Sequence, residues 1–492
     1  MLRRSTIAGV IAVCSLAGCA VGPNFHSPPP PANTQYTRGQ QPQVTTDSPV
    51  PGGGAQTLVP DRDIPADWYS LFKSEPLDDL VRRALHDSPT VEAAKAALRS
   101  AEATYIAERG ALLLPQADGQ LGVTRQRSSS AAFGIPSLPS STFTLYNAAV
   151  NVSYRLDIFG ASRRQVEEFR AQADFQRWEL EAANLTLTGN VVTTAFDVAS
   201  LRDQLTAVND VVGAETEQYR VVQRQFEVGG ASKSDVLSQQ AQLAQARTVV
   251  PGLEKALAQA QHRLAVLAGR TPDDASVPDF VLDGFTLPEQ LPVSVPAKLV
   301  RQRPDVQAAE AQLHQATAAL GLATANLLPQ LNLTGSIGTE SVTAGGLFGA
   351  GTGTWSAGAS LLQPLFHGGE LRYKRRAAVA DLERADAQYR QTVLAALQEV
   401  ADTLRALEAD ARSLRAQVEA ERAASDSLEI AKRQFQVGGI SYVSVLNAQR
   451  LFLQARQGRV QAQAARYSDS AALFQTLGGG WWNRKDQEVA RQ

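Results

Sequence analysis

The chain says one phrase twice: residues 224–230 read RQFEVGG and residues 433–439 read RQFQVGG, 209 positions further on. The echo is wider than the motif. SPTVEAA at 88–94 returns as RPDVQAA at 303–309, and LLPQ at 113–116 returns at 327–330, offsets of 215 and 214. Self-similarity over so long an offset constrains the fold strongly, because whatever one half builds the other must build too. A length of 492 residues would otherwise suggest about three ordinary domains. The repeat divides the chain into halves at 67–270 and 297–480, joined by a linker at 271–296.

Each half follows one plan. A helix starts at Pro89 or Pro304, since proline is tolerated in a first turn, and Pro115 or Pro329 stops it. Alternating sequence follows. Thr144, Tyr146, Ala148, Val150, Val152, Tyr154 and Leu156 alternate with Leu145, Asn147, Ala149, Asn151, Ser153, Arg155 and Asp157, a mostly apolar face against a mostly polar one. The less regular 118–127 is its partner, giving a hairpin over about 116–157. Leu331, Leu333 and Ile337 with Trp355, Ala357, Ala359 and Leu361 give a second hairpin over about 330–364. Each segment has about ten residues, the length a tilted strand needs to cross a bilayer.

A long helix follows each hairpin. Leu397, Val400, Leu404, Leu407, Ala411, Leu414 and Val418 step by three and four, the seam of a left-handed coiled coil. No proline interrupts residues 369–438, so at about 1.5 Å per residue that helix reaches about 100 Å. The two glycine motifs end the long helices by taking the left-handed conformation, and the chain turns back at 228–231 and 437–440. Ser441 is placed to cap the returning helix. Pro251 is expected to kink or break its own. Two strands per half make four, too few to close a barrel, and open edges are not tolerated in lipid. Several copies are therefore needed, and three would supply twelve strands.

The N-terminus has the pattern of a secretory signal over 1–18: Arg3 and Arg4, an apolar run at 7–16, then small residues. Its end, Leu16-Ala17-Gly18-Cys19, resembles a bacterial lipobox, which implies that Cys19 takes a covalent lipid. Ala20 after it implies passage to the outer membrane. Residues 19–66, dense in Pro, Gln, Thr and Gly, read as a lipidated, extended tether. Residues 481–492 form a tail.

These residues together resemble the outer-membrane efflux factors, the TolC-like channels, and within them the lipoprotein branch serving multidrug pumps. The resemblance rests on CAVGPNF at 19–25, Trp68 with Leu71 and Phe72, RQRPDV at 301–306, ANLLPQL at 325–331, both VGG turns and LGGGW at 477–481. It implies a mainly α protein with a membrane β-barrel: a homotrimer whose twelve-stranded barrel continues as a periplasmic coiled-coil tunnel, with the linker in an equatorial region. It also implies a passive efflux channel working with a periplasmic adaptor and an inner-membrane pump of RND type.

The resemblance further implies that the two turns dock the adaptor through Val228, Gly229, Gly230, Asp235, Val437, Gly438 and Gly439; at minimum they close helical hairpins. Members with a cation-binding aperture carry carboxylates just after the second turn, where this chain has Ser444 and Asn447. Asp235 could instead bond near Phe435, or simply complement the dipole of its helix. Arg372, Lys374, Arg375 and Arg376 follow the last strand and could meet anionic headgroups or solvent. Two other functions fit the helices: a lipid-anchored adaptor without a channel, and the outer-membrane component of a type I secretion system. The alternating segments oppose the adaptor.

Catalysis finds no motif. The five histidines lack HExxH or paired spacing, and no GxSxG elbow or Walker loop is present. No metal site and no cofactor beyond the lipid on Cys19 are expected. A net charge of −2 offers no field for nucleic acid.

Overall fold

A computed structural model describes residues 20–39, 42–129, 140–274 and 276–484. The signal segment, Cys19, most of the first hairpin loop and the end of the tail lie outside the described residues. The chain forms two compact units, each drawn from both repeats: Met1–Pro28, Ala97–Gln176 and Ala308–Arg390 in one; Pro29–Ala96, Arg177–Gln307 and Gln391–Gln492 in the other.

The first unit holds a four-stranded antiparallel sheet of β2 (Gln116–Ser128), β3 (Ser141–Leu156), β5 (Gln330–Ser341) and β6 (Gly353–Leu362), in that spatial order. Residues directly opposite across strands share a face. The register sets Leu121 against Ala148, Val150 against Ile337, Leu333 against Tyr154 and Ala359, and Ile337 against Trp355. One apolar face therefore runs unbroken over all four strands. The described residues leave it uncovered: Leu121 is 82% exposed, Ile337 68% and Trp355 79%. The strand order leaves β2 and β6 as open edges. Among the described residues no helix is long and apolar enough to cross a membrane.

The helices have the lengths that the repeat demands. α3 (Ala161–Glu227) and α7 (Glu370–Gln436) have 67 residues each. The returning helices α4 (Lys233–Leu267) and α8 (Tyr442–Thr476) have 35 each, and α2 (Pro89–Leu113) and α6 (Pro304–Ala325) have 25 and 22. Along α7, Val400, Leu404, Leu407, Ala411 and Leu414 are buried, as a heptad seam should be. The expectation of a break at Pro251 fails: α4 runs through it. Pro251 and Arg247 are both exposed, so water can take the carbonyl that the missing donor frees.

The second unit contains an aromatic core. Trp68 stacks on Phe474 at 5.5 Å, Phe72 meets Phe196 edge-on at 5.0 Å, and Phe196 meets Phe285 at 4.9 Å. The buried Tyr467 donates its hydroxyl to the Phe285 carbonyl at 2.9 Å. α1 (Glu75–Asp87) and α5 (Pro296–Gln302) belong to the same unit.

Where composition suggests a tether, much of the chain is docked. β1 (Thr57–Pro60) pairs in parallel with β4 (Gln290–Val293). Gln56, 1% exposed, donates to the Pro288 carbonyl at 3.0 Å and the Ser470 hydroxyl at 2.9 Å. Arg466, also 1% exposed, donates to the carbonyls of Gly52 and Gly54 at 3.2 and 3.0 Å, and to Thr45 Oγ1 and Gln56 Oε1 at 3.3 Å each. A segment without periodicity of its own can thus satisfy its backbone on a distant guanidinium.

One half-buried carboxyl pair in this unit should respond to pH. Burial, then the hydrogen bond and charge of Asp410, push the Asp469 carboxyl up to about 7. A raised folded-state value means the native state holds the proton longer, so this stability is full below the ordinary carboxylate range and is lost as pH rises through about 7. Thermal melts should therefore weaken from pH 5 to 8. Asp469→Asn should flatten that slope and raise the melting temperature at pH 8; an unchanged slope would assign it to other groups.

Candidate functional site

The two repeated motifs build the same turn. At the end of α3 the Gly230 amide donates to the Gln225 carbonyl at 2.7 Å and the Gly229 amide to the Phe226 carbonyl at 3.1 Å. At the end of α7 the Gly439 amide donates to Gln434 at 2.8 Å and the Gly438 amide to Phe435 at 3.0 Å. This paired closure is the Schellman motif, which needs a left-handed residue after the cap. Gly229 at φ 80° and Gly438 at φ 76° supply it. The second glycine of each pair lies outside that region, so positive φ accounts for only half of each pair. Val228 and Val437, each 83% exposed, stand at the outer surface of the turns.

Beyond the turns the copies diverge. Ser232 and Asp235 form a capping box: the Asp235 amide donates to the Ser232 hydroxyl at 3.1 Å, and Asp235 Oδ2 accepts from the Ser232 amide and hydroxyl at 2.8 and 2.7 Å. These bonds hold the Asp235 carboxyl below its ordinary value. Its bonds are those of a helix cap, and they run to Ser232 rather than toward Phe435. At the second turn Ser441 is the N-cap but makes no side-chain capping bond. The position three residues on is Ser444, which offers no carboxylate; its hydroxyl lies 3.3 Å from that of Ser441. Ser444 and Asn447 are both exposed.

The phenylalanines diverge as well. Phe226 is 40% exposed, with the Lys233 ammonium 5.6 Å from its ring centre. Phe435 is half-buried against Tyr442, ring centres 5.0 Å apart. Tyr442 belongs to an apolar cluster with Val222, Val236, Leu428, Ala431, Val445 and Ala448, drawn from all four long helices, and Phe435 packs against it. The two hairpins are thus joined directly below their turns.

Sequence reading missed a polar chain inside this joint. The Tyr442 hydroxyl donates to Gln239 Oε1, and Gln239 Nε2 donates to Glu215 Oε2 at 2.6 Å. Gln239 is fully buried, Glu215 1% exposed and Tyr442 4%. Burial pushes the Glu215 carboxyl up, against the lowering effects of the Gln239 hydrogen bond and the Lys432 charge. A signal was available: Gln239 falls in the stripe Val236, Gln239, Leu243, Ala246, whose spacing marks a buried face. Among the described residues no group of three or more metal-ligating side chains occurs.

Comparison with known proteins agrees with this architecture. The sequence profile of the family described as outer membrane efflux protein matches residues 80–270 and 295–479. The chain is 30% identical over 432 residues to the pyoverdine export outer membrane protein OpmQ of Pseudomonas aeruginosa, covering 86% of this chain and 89% of that one. It is 28% identical over 485 residues to the toluene efflux pump outer membrane protein TtgF of Pseudomonas putida, covering 97% of each. The solved structure of the outer-membrane channel OprN superposes with a TM-score of 0.84 at 25% identity, over 94% of this chain and all of that one. The Campylobacter jejuni outer membrane channel CmeC shares the fold, with a TM-score of 0.84 at 21% identity over 96% of this chain and 98% of its own. With both repeats matched and the channel fold reproduced along nearly the whole chain, this protein belongs to the outer membrane efflux protein family.

Proposed function

We propose that the chain works as a lipid-anchored homotrimer whose three sheets join edge to edge into a twelve-stranded barrel, forming the exit duct of a tripartite efflux system. The observation that carries this reading is the unbroken, exposed apolar face of the four-stranded sheet between two open edges. Such a sheet is stable in lipid only if its edges are paired by further copies. The opposite face, with Asn147, Asn151, Ser336 and Ser356, suits a watery lumen. An adaptor without a channel has no use for this arrangement. Outer-membrane extracts should yield a heat-modifiable trimer that conducts in planar bilayers; a monomer without conductance would overturn the proposal.

The exposed turns, with Val228, Gly229, Gly230 and Asp235 from one repeat and Val437, Gly438 and Gly439 from the other, are the surface for a periplasmic adaptor. An inner-membrane pump of RND type would supply the energy, and Cys19 would carry the lipid. Relatives named for pyoverdine and toluene export support small organic cargo, selected by the pump rather than by the duct. Phe435, Ser444 and Asn447 border the aperture. Since Ser444 and Asn447 carry no charge, multivalent cations at millimolar concentration should leave single-channel conductance nearly unchanged. A drop to less than half would show that another carboxylate faces the pore.

A further inference from the structure

The first described residues form no loose leader. Ala20 abuts Gly160: a methyl on Gly160, at φ 84°, would stand 2.6 Å from the Ala20 Cβ. The Val21 amide donates to the Phe159 carbonyl at 3.0 Å. Gly22, at φ 89°, lies so close to α6 that a methyl on it would stand 2.6 Å from the Gly321 Cα. A side chain on Gly321 would in turn strike Arg164, with its Cβ 2.8 Å from the Arg164 Cδ. Such approaches are closed to any residue with a Cβ.

Arg164 is the centre of this contact. Its side chain is 4% exposed and donates to the Val21 carbonyl at 3.3 Å, the Gly22 carbonyl at 3.5 Å, Asn24 Oδ1 at 2.6 Å and Glu167 Oε2 at 2.7 Å. The other Glu167 oxygen lies 2.8 Å from His314 Nε2. The His314 ring in turn stacks on Phe25, centres 4.3 Å apart and 15° from parallel. Every partner comes from the β3–α3 connection, the start of α3 or α6, within one compact unit. A buried guanidinium satisfied by three groups of one short peptide is a built socket, not incidental packing.

We propose that residues 20–25 are a docked plug, and that the socket of Gly160, Arg164, Glu167, His314 and Gly321 is the joint that fixes the N-terminal attachment point to the channel wall. The inference rests on the reading of Cys19 as the lipidated residue. Ala20 is seated on Gly160, in the β3–α3 connection, and consecutive Cα atoms are about 3.8 Å apart, so the covalent bond to Ala20 would tie a lipidated residue to that point. A lipid there is mounted at the foot of the sheet instead of on a flexible leash, and the docked peptide, rather than the chain that follows it, carries the load between membrane anchor and channel.

Hydrogen exchange read by mass spectrometry on the full-length lipidated protein tests the joint. The amides of residues 21–25 should exchange at least tenfold more slowly than an unstructured peptide. Asn24→Ala with Phe25→Ala alters only the plug and should remove that protection while leaving the strands and conductance unchanged. Arg164→Ala should do the same from the socket side; if it fails to fold, the plug variant stands alone. Unprotected amides in the parent protein, or protection surviving the plug variant, would overturn the proposal. The mass of the N-terminal fragment is a separate readout: an unmodified Cys19 overturns the lipid reading, whatever the exchange of residues 21–25.

Discussion

Replacing Gly230 and Gly439 together by leucine should bring efflux down to the level of cells lacking the channel, with trimer assembly and melting temperature nearly unchanged. The expectation comes from the asymmetry within each glycine pair. Neither residue has a positive φ, and a Cβ on either would meet one carbonyl oxygen at 3.4 Å, with the Gln225 Cβ at an ordinary 3.9 Å besides at Gly230. Leucine there costs at most about 1 kcal/mol. It would nevertheless place a bulky side chain on the surface proposed for the adaptor. Gly229 and Gly438 behave oppositely. Their Cβ directions are open, but their φ values of 80° and 76° would cost a non-glycine residue about 1–2 kcal/mol at each turn. Leucine at those positions mixes turn strain with surface change, so the second glycines give the cleaner experiment. Drug susceptibility, migration of the unboiled trimer and a thermal melt provide the readouts. Full resistance in the Gly230/Gly439 variant would overturn docking at the turns.

Arg466→Ala should destabilise the second unit by about 3–5 kcal/mol, the range for breaking a buried, charge-assisted network. The guanidinium is the shared donor for two glycine carbonyls, a threonine hydroxyl and a glutamine oxygen within residues 45–56. Its removal leaves these acceptors in a site that water cannot readily reach. The expected result is release of residues 43–60: faster amide exchange there, new protease cleavage in the Pro- and Gly-rich stretch, and a lower melting temperature. The sheet of the other unit should keep its protection. A stability change below about 1 kcal/mol would mean that the segment is held chiefly by the β1–β4 pairing and the burial of Gln56.

The same residues separate what patterning reveals from what it hides. Helix spans follow from proline, glycine and apolar spacing, all local properties, and the α7 seam is buried where its three-and-four steps place it. The apolar strand face was legible because alternation has a period of two whatever the partner strand. The burial of Gln239 is legible in its stripe but its partners are not, since only the fold brings Tyr442 and Glu215 to it. Asp235 and Ser444 follow equivalent turns, and sequence alone left the role of Asp235 open between gate and cap. The structure shows Asp235 bonded to Ser232 as a helix cap.

By itself the sequence determined the repeat, the two hairpin turns, the bilayer-length strands and the need for more than one copy, because each depends on covalent geometry or on periodicity along one segment. Only the tertiary structure decided that residues 42–60 are docked, that Ala20 to Phe25 fill a socket, and that the turns rest on one shared core. Those features depend on single polar side chains, Arg466, Arg164 and Gln239, meeting groups far away in the chain. A buried donor is satisfied by whatever acceptor the fold brings to it, and no spacing along the sequence records that choice.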